Sequence, residues 1–256
     1  MLRDGTMGGS VQDFRPGASI AGYRIETIER EEASGVVLRA RDPAGGRVVV
    51  LHVAADPPGS GASLGFLERA RALQALRCPQ LLGVVDVRVA DGRALAVLEA
   101  VPGRRLDELL GDGPLAPVPA ARIARHVALA VAALEAAAAE PPPLVPERIW
   151  VTSVDACLDP LDTRGLLRRG ERPASSAAAL AALLSAMVPA ETASPALREI
   201  VSRGRDGAYF TIAQVADALA TVESRTAQRA RLRRCAALAV VALATIALVA
   251  ILVVTP

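Results

Sequence analysis

The chain contains no lysine and no asparagine; all 29 of its basic residues are arginine. A GC-rich coding sequence depletes both types. Whatever the cause, chemistry that needs a lysine ammonium or an asparagine carboxamide is excluded. Aromatic residues make up 2% of the chain, and no basic stripe is interleaved with them, so the stacking surface of a nucleic-acid binder is missing and no nucleic-acid partner is expected. Cys78, Cys157 and Cys235 are far apart with no C-x-x-C, and His52 and His126 are the only histidines. Neither a disulfide framework nor a zinc site is indicated, and no metal is assigned.

Against these absences stands one long apolar run. Residues 235–254, CAALAVVALATIALVAILVV, carry no charge, proline or glycine, and about 20 such residues span a bilayer core. Arg229, Arg231, Arg233 and Arg234 precede the run, and the positive-inside rule keeps that side cytoplasmic. The N-terminus has no apolar core and includes acids, so no signal peptide is read there. The expectation is a single-pass protein of the cell membrane with its N-terminal domain in the cytoplasm and a short C-terminus outside. Its basic juxtamembrane segment, residues 224–234, would lie against anionic headgroups.

Residues 1–19, rich in glycine and polar side chains, read as a disordered tail. YRIETIE, GVVLRARD and RVVVLHVA follow as three strands, the last two joined by a Pro-Ala-Gly-Gly turn. SLGFLERARALQALRCP has helical spacing up to Pro79, and LLGVVDVRVADGRALAVLEAV is a hairpin turning at Asp91-Gly92. The rest is mostly helical: 104–110, 119–140, 175–188, 194–204 and 211–223, with Ser194 and Thr211 as N-cap signals. His126 is expected at the surface or boundary of its helix.

Five strands with one helix after the third, then a helical lobe, is the plan of protein kinases, and the words agree. IAGYRIETIE, SGVVLRARDPAGGRVVVLHV, FLERARALQALRCPQLLGVVDV, LAVLEAVPGRRLDELL and SPALREIVSRGRDGAYFTIAQVADALATV together resemble the bacterial membrane-bound Ser/Thr protein kinase family, from about Ile20 to Val222. The resemblance implies an α+β, protein-kinase-like two-lobe fold: a five-stranded antiparallel sheet plus C-helix in residues 20–102, then a shortened helical lobe in 103–223, with the transmembrane helix at the C-terminus. It implies a nucleotide cleft lined by Gly35, Val37, Val50, Leu98, Glu99 and Val101, with Leu98 as gatekeeper and Glu99 to Val101 as hinge.

The words that carry chemistry in that family are altered. V-A-I-K reads Val49-Val50-Leu51-His52, putting His52 in the lysine position; an imidazole does not reproduce a fixed ammonium at neutral pH. The glycine-rich loop reads Glu29-Arg30-Glu31-Glu32-Ala33-Ser34-Gly35-Val36-Val37, where acids replace glycines and would repel phosphates. Arg69 aligns with the C-helix glutamate, Pro143 with the catalytic aspartate and Arg148 with the metal-binding asparagine. Asp159 is the candidate for the D-F-G aspartate, and the activation segment shrinks to TRGLLRRGERP. Losing lysine, base, asparagine and phosphate loop together implies a pseudokinase with no catalytic residues, not an enzyme, and no cofactor, ATP-magnesium binding being disfavoured. The function expected on this resemblance is a membrane-anchored regulatory or scaffold module in bacterial envelope signalling. Its partners would be the cytoplasmic membrane and an unidentified protein. The alternative is a residual ATP-binding sensor or a weak Ser/Thr kinase with an atypical active site.

Overall fold

The aliphatic runs of the first hundred residues form a curled antiparallel sheet in the computed structural model, which describes residues 14–32, 34–162, 175–225 and 228. Its strands are β1 (Ser19–Ile20), β2 (Tyr23–Glu32), β3 (Gly35–Arg41), β4 (Val48–Ala54), β5 (Val84–Ala90) and β6 (Arg93–Glu99), in the spatial order β1-β2-β3-β4-β6-β5. Sequence predicts five strands and the sheet has six. The addition is β1, which pairs with the start of β2 and is too short to carry a period-two signal. Phe14, placed in the tail by composition, packs with Ile20 and Ile25 in the core.

Asp91 (φ 52°) and Gly92 (φ 70°) both adopt left-handed conformations, as the two-residue hairpin between β5 and β6 requires. The Asp91 carboxylate accepts the Ala21 N–H at 2.6 Å, and Arg88 donates to the Ala21 carbonyl at 3.1 Å. One edge of the sheet is thereby tied to the other, which closes the curl.

Alternation along the strands sorts side chains onto two faces. Val36, Leu38, Ala40, Val49, Leu51, Val53, Leu95 and Val97 bury one face in an aliphatic cluster. Fully burying each larger aliphatic chain contributes about 1.5–3 kcal/mol. Val37, Val50, Ala54, Ala96 and Leu98 turn the other way, into the larger core that continues through the helices. The register Val37↔His52 and Arg39↔Val50 puts His52 and Arg39 on this second face.

Helix α1 (Gly61–Gln74) lies against β5 and β6; Ser60 caps it by accepting from Ser63 N at 3.2 Å, and Phe66, Leu67, Ala70 and Leu73 form its buried stripe. The second lobe comprises β7 (Arg104–Arg105), α2 (Leu106–Gly111), α3 (Pro117–Ala136), β8 (Ile149–Val151), β9 (Ala156–Leu158), α4 (Ser176–Met187), α5 (Pro195–Arg205) and a helix α6 over residues 212–225. Strands β7, β8 and β9 make a second, three-stranded sheet. Ser194 accepts from Leu197 N and Thr211 from Gln214 N, as the cap signals predict.

Helix α3 stops short of its predicted end at Glu140. Ala138 takes φ 53°, and Pro141 to Pro143 follow, so no helical turn can continue. Among the described residues, α3 is the helix long and apolar enough to cross a membrane, and 56% of its apolar window is buried inside the protein, as befits a core helix. His126 on α3 is 7% exposed rather than at the surface, because its Nδ1 accepts the Ala156 N–H at 3.0 Å and satisfies the start of β9. The predicted membrane run 235–254, Arg229, Arg231, Arg233 and Arg234, and the segment 163–173 lie outside the described residues.

Candidate functional site

The lower face of the large sheet meets β8, β9 and the 3-10 turn Pro146–Arg148 across a cleft, and the centre of that cleft is Asp159, 1% exposed. Three cationic or basic side chains converge on it. His52 Nε2 lies 3.0 Å from Asp159 Oδ2, Arg30 Nη2 donates to the same oxygen at 3.1 Å, and Arg148 Nη1 stands 4.0 Å away. The other oxygen, Oδ1, accepts from Leu161 N at 3.1 Å, which fixes the carboxylate within its own loop. Burial alone would raise the Asp159 pKa; His52, Arg148 and Arg30 outweigh it and hold the group well below the usual carboxylate range.

Arg148 is 0% exposed. It donates to Glu32 Oε1 at 2.7 Å, to Asp162 Oδ1 at 2.8 Å and to the Leu161 carbonyl. Glu32 also accepts from Arg30 Nε at 2.6 Å. Two guanidinium groups and three carboxylates therefore form one buried network, with the neighbouring lobe supplying Arg148, Asp159 and Asp162 and strand β2 supplying Arg30 and Glu32. Further ties run alongside: Arg30 to the Glu147 carbonyl at 2.9 Å, and Arg105 to the Glu29 carbonyl and, at 3.7 Å, to its carboxylate. Such a network holds only because each charge has several partners; a lone buried charge would cost several kcal/mol.

Toward the hinge, Arg39 on β3 lies over the indole of Trp150 on β8, its guanidinium carbon 5.7 Å from the ring centroid. Val37, Val50 and Leu98, predicted to line the cleft, are each at most 2% exposed and share the apolar core with Trp150. Arginine from the ceiling and indole from the floor thus fill the space between them.

Gly35 is needed for a reason other than a ligand: its φ is 158°, and a Cβ there would meet the Val53 carbonyl oxygen at 2.2 Å. Glu99 lies exposed with its carboxylate over Gly83, and with Val101 it borders a cavity of about 560 Å³ lined also by Gln74, Leu82, Cys78 and Cys157. That cavity is at the end of α1 and does not include Trp150 or His52. Burial, with Asp155 and Cys78 nearby, pushes the Cys157 thiol up to about 11. Arg69 sits on the flank of α1, 24% exposed and 3.9 Å from Glu140, so it is not gathered into the network. Pro143 is exposed in the loop before the 3-10 turn.

Sequence reasoning therefore gathers His52, Arg148 and Asp159 as members of one site, and misses Arg30, Glu32, Arg39, Asp162 and Trp150 as their partners. The signal was present as parity: Arg30 pairs with Val37 and Val37 with His52 across the ladder, so all three share a face.

No protein-family model matches the chain, and no curated protein matches it. Solved structures do. The crystal structure of the Mycobacterium tuberculosis PknI kinase domain matches with a TM-score of 0.62 at 19% identity, covering 81% of this chain and 98% of that one. A single-residue mutant of the same domain matches at 0.64 with the same identity and coverage, and a double mutant at 0.63 and 18%. The fold is that of a protein kinase domain. These matches overturn the sequence-based conclusion that the chain is not an enzyme: the fold is shared with kinase domains over nearly their full length, and altered words in the sequence do not by themselves make a chain inactive.

A magnesium–nucleotide complex is what a kinase fold implies, and the residues in this arrangement do not fit one. Asp159 is already surrounded by His52, Arg30 and Arg148, the Arg148 guanidinium stands where the resemblance puts a metal-binding asparagine, and Arg39 covers Trp150.

Proposed function

We propose that the chain is a membrane-anchored regulatory or scaffold module of protein kinase fold, which works by docking a protein partner at the cytoplasmic face of a bacterial membrane. The observation that carries this reading is the cleft filled by the chain's own side chains, with Arg39 over Trp150 and Arg30, Glu32 and Arg148 around Asp159. A module closed in this way presents one lobe arrangement to a partner without ATP, a metal or any other cofactor. The uncharged run 235–254 with the arginines before it supports the anchor, and the scarcity of aromatic residues argues against nucleic acid.

A second reading is favoured by one contact. His52 stands 3.0 Å from Asp159, which keeps a basic group on that acid in the position the resemblance gives to lysine, and a residual ATP-binding sensor or a weak Ser/Thr kinase with an atypical site follows from it. Thermal unfolding of the full chain in detergent, with and without ATP plus magnesium or manganese, separates the two. A ligand bound only by the folded state adds about 2.7 kcal/mol of stability at a hundredfold excess over Kd. An unchanged midpoint supports the module working without nucleotide; a metal-dependent rise moves the sensor or weak-kinase reading ahead. Carbonate extraction of membranes tests the anchor: the full chain stays in the pellet, and a chain ending at residue 225 is released.

A further inference from the structure

Two neighbours of helix α3 meet on one side of it. Arg125 Nη1 lies 3.8 Å from Glu223 Oε2, near the end of α6, and His126 Nδ1 lies 3.7 Å from Asp155 Oδ1, in the turn between β8 and β9. Arg122 acts electrostatically on both His126 and Glu223. Its place on the helix requires this, since at about 100° per residue it falls between Arg125 and His126 around the axis.

Val118, Arg122 and Arg125, spaced i, i+4, i+7, therefore form one stripe, while Ala120, Ala121, Ile123 and Ala124 turn into the core. Val118 is 44% exposed, and Val154, the residue before Asp155, is 65% exposed, more than any other large aliphatic side chain among the described residues. Uncovered valines beside arginines suit the boundary between lipid headgroups and acyl chains, where aliphatic groups and arginine stems go down and guanidinium heads stay among phosphates.

The length of the following chain decides what covers this face. Helix α6 ends at residue 225, and nine residues separate it from the apolar run 235–254. Fully extended, such a leash reaches at most about 35 Å, less than the width of about 40 Å expected of a domain this size. The surface around the end of α6 is thus held nearest the bilayer. Arg225 and the four arginines within 229–234 add positive charge on that side, against the carboxylates Asp155 and Glu223, and an anionic leaflet attracts such charge at close range.

We propose that Val118, Arg122 and Arg125, with Val154 beside them, rest on the anionic lipid surface of the membrane and fix the orientation of the domain there. The docked pose depends on the anchor proposed above and turns a tether into one defined orientation.

The test reconstitutes the full chain in nanodiscs of phosphatidylcholine and phosphatidylglycerol with brominated acyl chains, which quench nearby indoles. Val154→Trp reports the contact through the emission it adds to that of Trp150, measured in the wild type, with unbrominated discs as reference. Strong quenching of the added emission is expected, and its loss in brominated phosphatidylcholine alone and when Arg122→Gln/Arg125→Gln is combined with Val154→Trp. Each arginine near an anionic surface shifts the contact equilibrium about fivefold, so the double substitution shifts it about thirtyfold toward the undocked pose. Added emission that is unquenched in the anionic discs overturns the proposal and leaves this face to a protein. Quenching that persists undiminished without phosphatidylglycerol, or after the double substitution, overturns it as well. Hydrogen exchange in α3 shows whether the variants are folded. Loss of α3 protection in the double substitution transfers the decision to Arg122→Gln, which leaves the Arg125 pair with Glu223 intact: reduced quenching supports the pose, and unchanged quenching overturns it. Carbonate extraction keeps the two readings apart. A chain released by carbonate ends the anchor and the pose together, whereas a retained chain with unquenched added emission ends the pose alone.

Discussion

The two faces of the upper sheet are built from the same strands and are closed by opposite means. On one face Leu38, Leu51 and Leu95 are 0% exposed in a cluster whose buried members are aliphatic except for Phe14. On the other, β4 offers Val50 and His52, and β2 offers Arg30 and Glu32, so closure there depends on charges that neutralise one another across two lobes. An aliphatic face tolerates small shifts because dispersion is non-directional. A charged one is geometrically exacting, since each partner that leaves strands another in a low dielectric. The first is a means of staying folded, the second of choosing one lobe arrangement.

The comparison breaks most severely at Arg148. Arg148→Ala removes a fully buried guanidinium that bonds Glu32 and Asp162, and the unfolding free energy measured in urea is expected to fall by about 3–5 kcal/mol. On the aliphatic face, Leu51→Ala is expected to cost about 2–5 kcal/mol in the same assay. The two losses differ in kind: raising pressure should aggravate the cavity left by Leu51→Ala.

Within the charged face, Arg30→Gln and Asp159→Asn are expected to be non-additive. A double-mutant cycle should return a coupling of about 0.5–3 kcal/mol, whereas either change combined with Leu51→Ala should come closer to a simple sum. Because the Asp159 pKa is depressed, its contribution is present above the unfolded carboxylate value and is lost only as pH falls below it. The Asp159 carboxylate is therefore expected to stay ionised through mildly acidic and neutral pH.

His126, on α3, supplies a pH dependence of its own. Burial, and the nearby Arg125 and Arg122, lower its pKa, with Asp155 opposing. The unfolded state then binds the proton first, so stability should decline as pH falls from about 6.5 toward the lower folded value. Unfolding midpoints measured between pH 7 and pH 5 should show this slope, and His126→Gln should flatten it. The smallest effect is expected at the exposed pair of Arg104 with Asp112, 2.7 Å apart: Arg104→Ala should leave the midpoint unchanged, because solvent screens such pairs.

Much of the cleft was legible because strands impose a period of two. His52 had to face the same way as Val50, and the kinase-like order of elements then brought it opposite Asp159. Glu32 was read as an acid that repels phosphate and Arg30 only as part of the altered loop, not as each other's partners, since strand parity gives a direction but no distance across a bulge. Arg39 escaped notice because its partner, Trp150, is over a hundred residues away in another sheet.

By itself the sequence determined the alternation of apolar and polar strand positions, the caps at Ser194 and Thr211, and the absence of lysine, all of which follow from local geometry and residue chemistry. Only the tertiary structure decided that Arg148 is buried, that Arg30 reaches Asp159 and that His126 lies inside. Burying a charge is unfavourable until partners from distant segments are in place, and those partners are brought together only when the lobes meet.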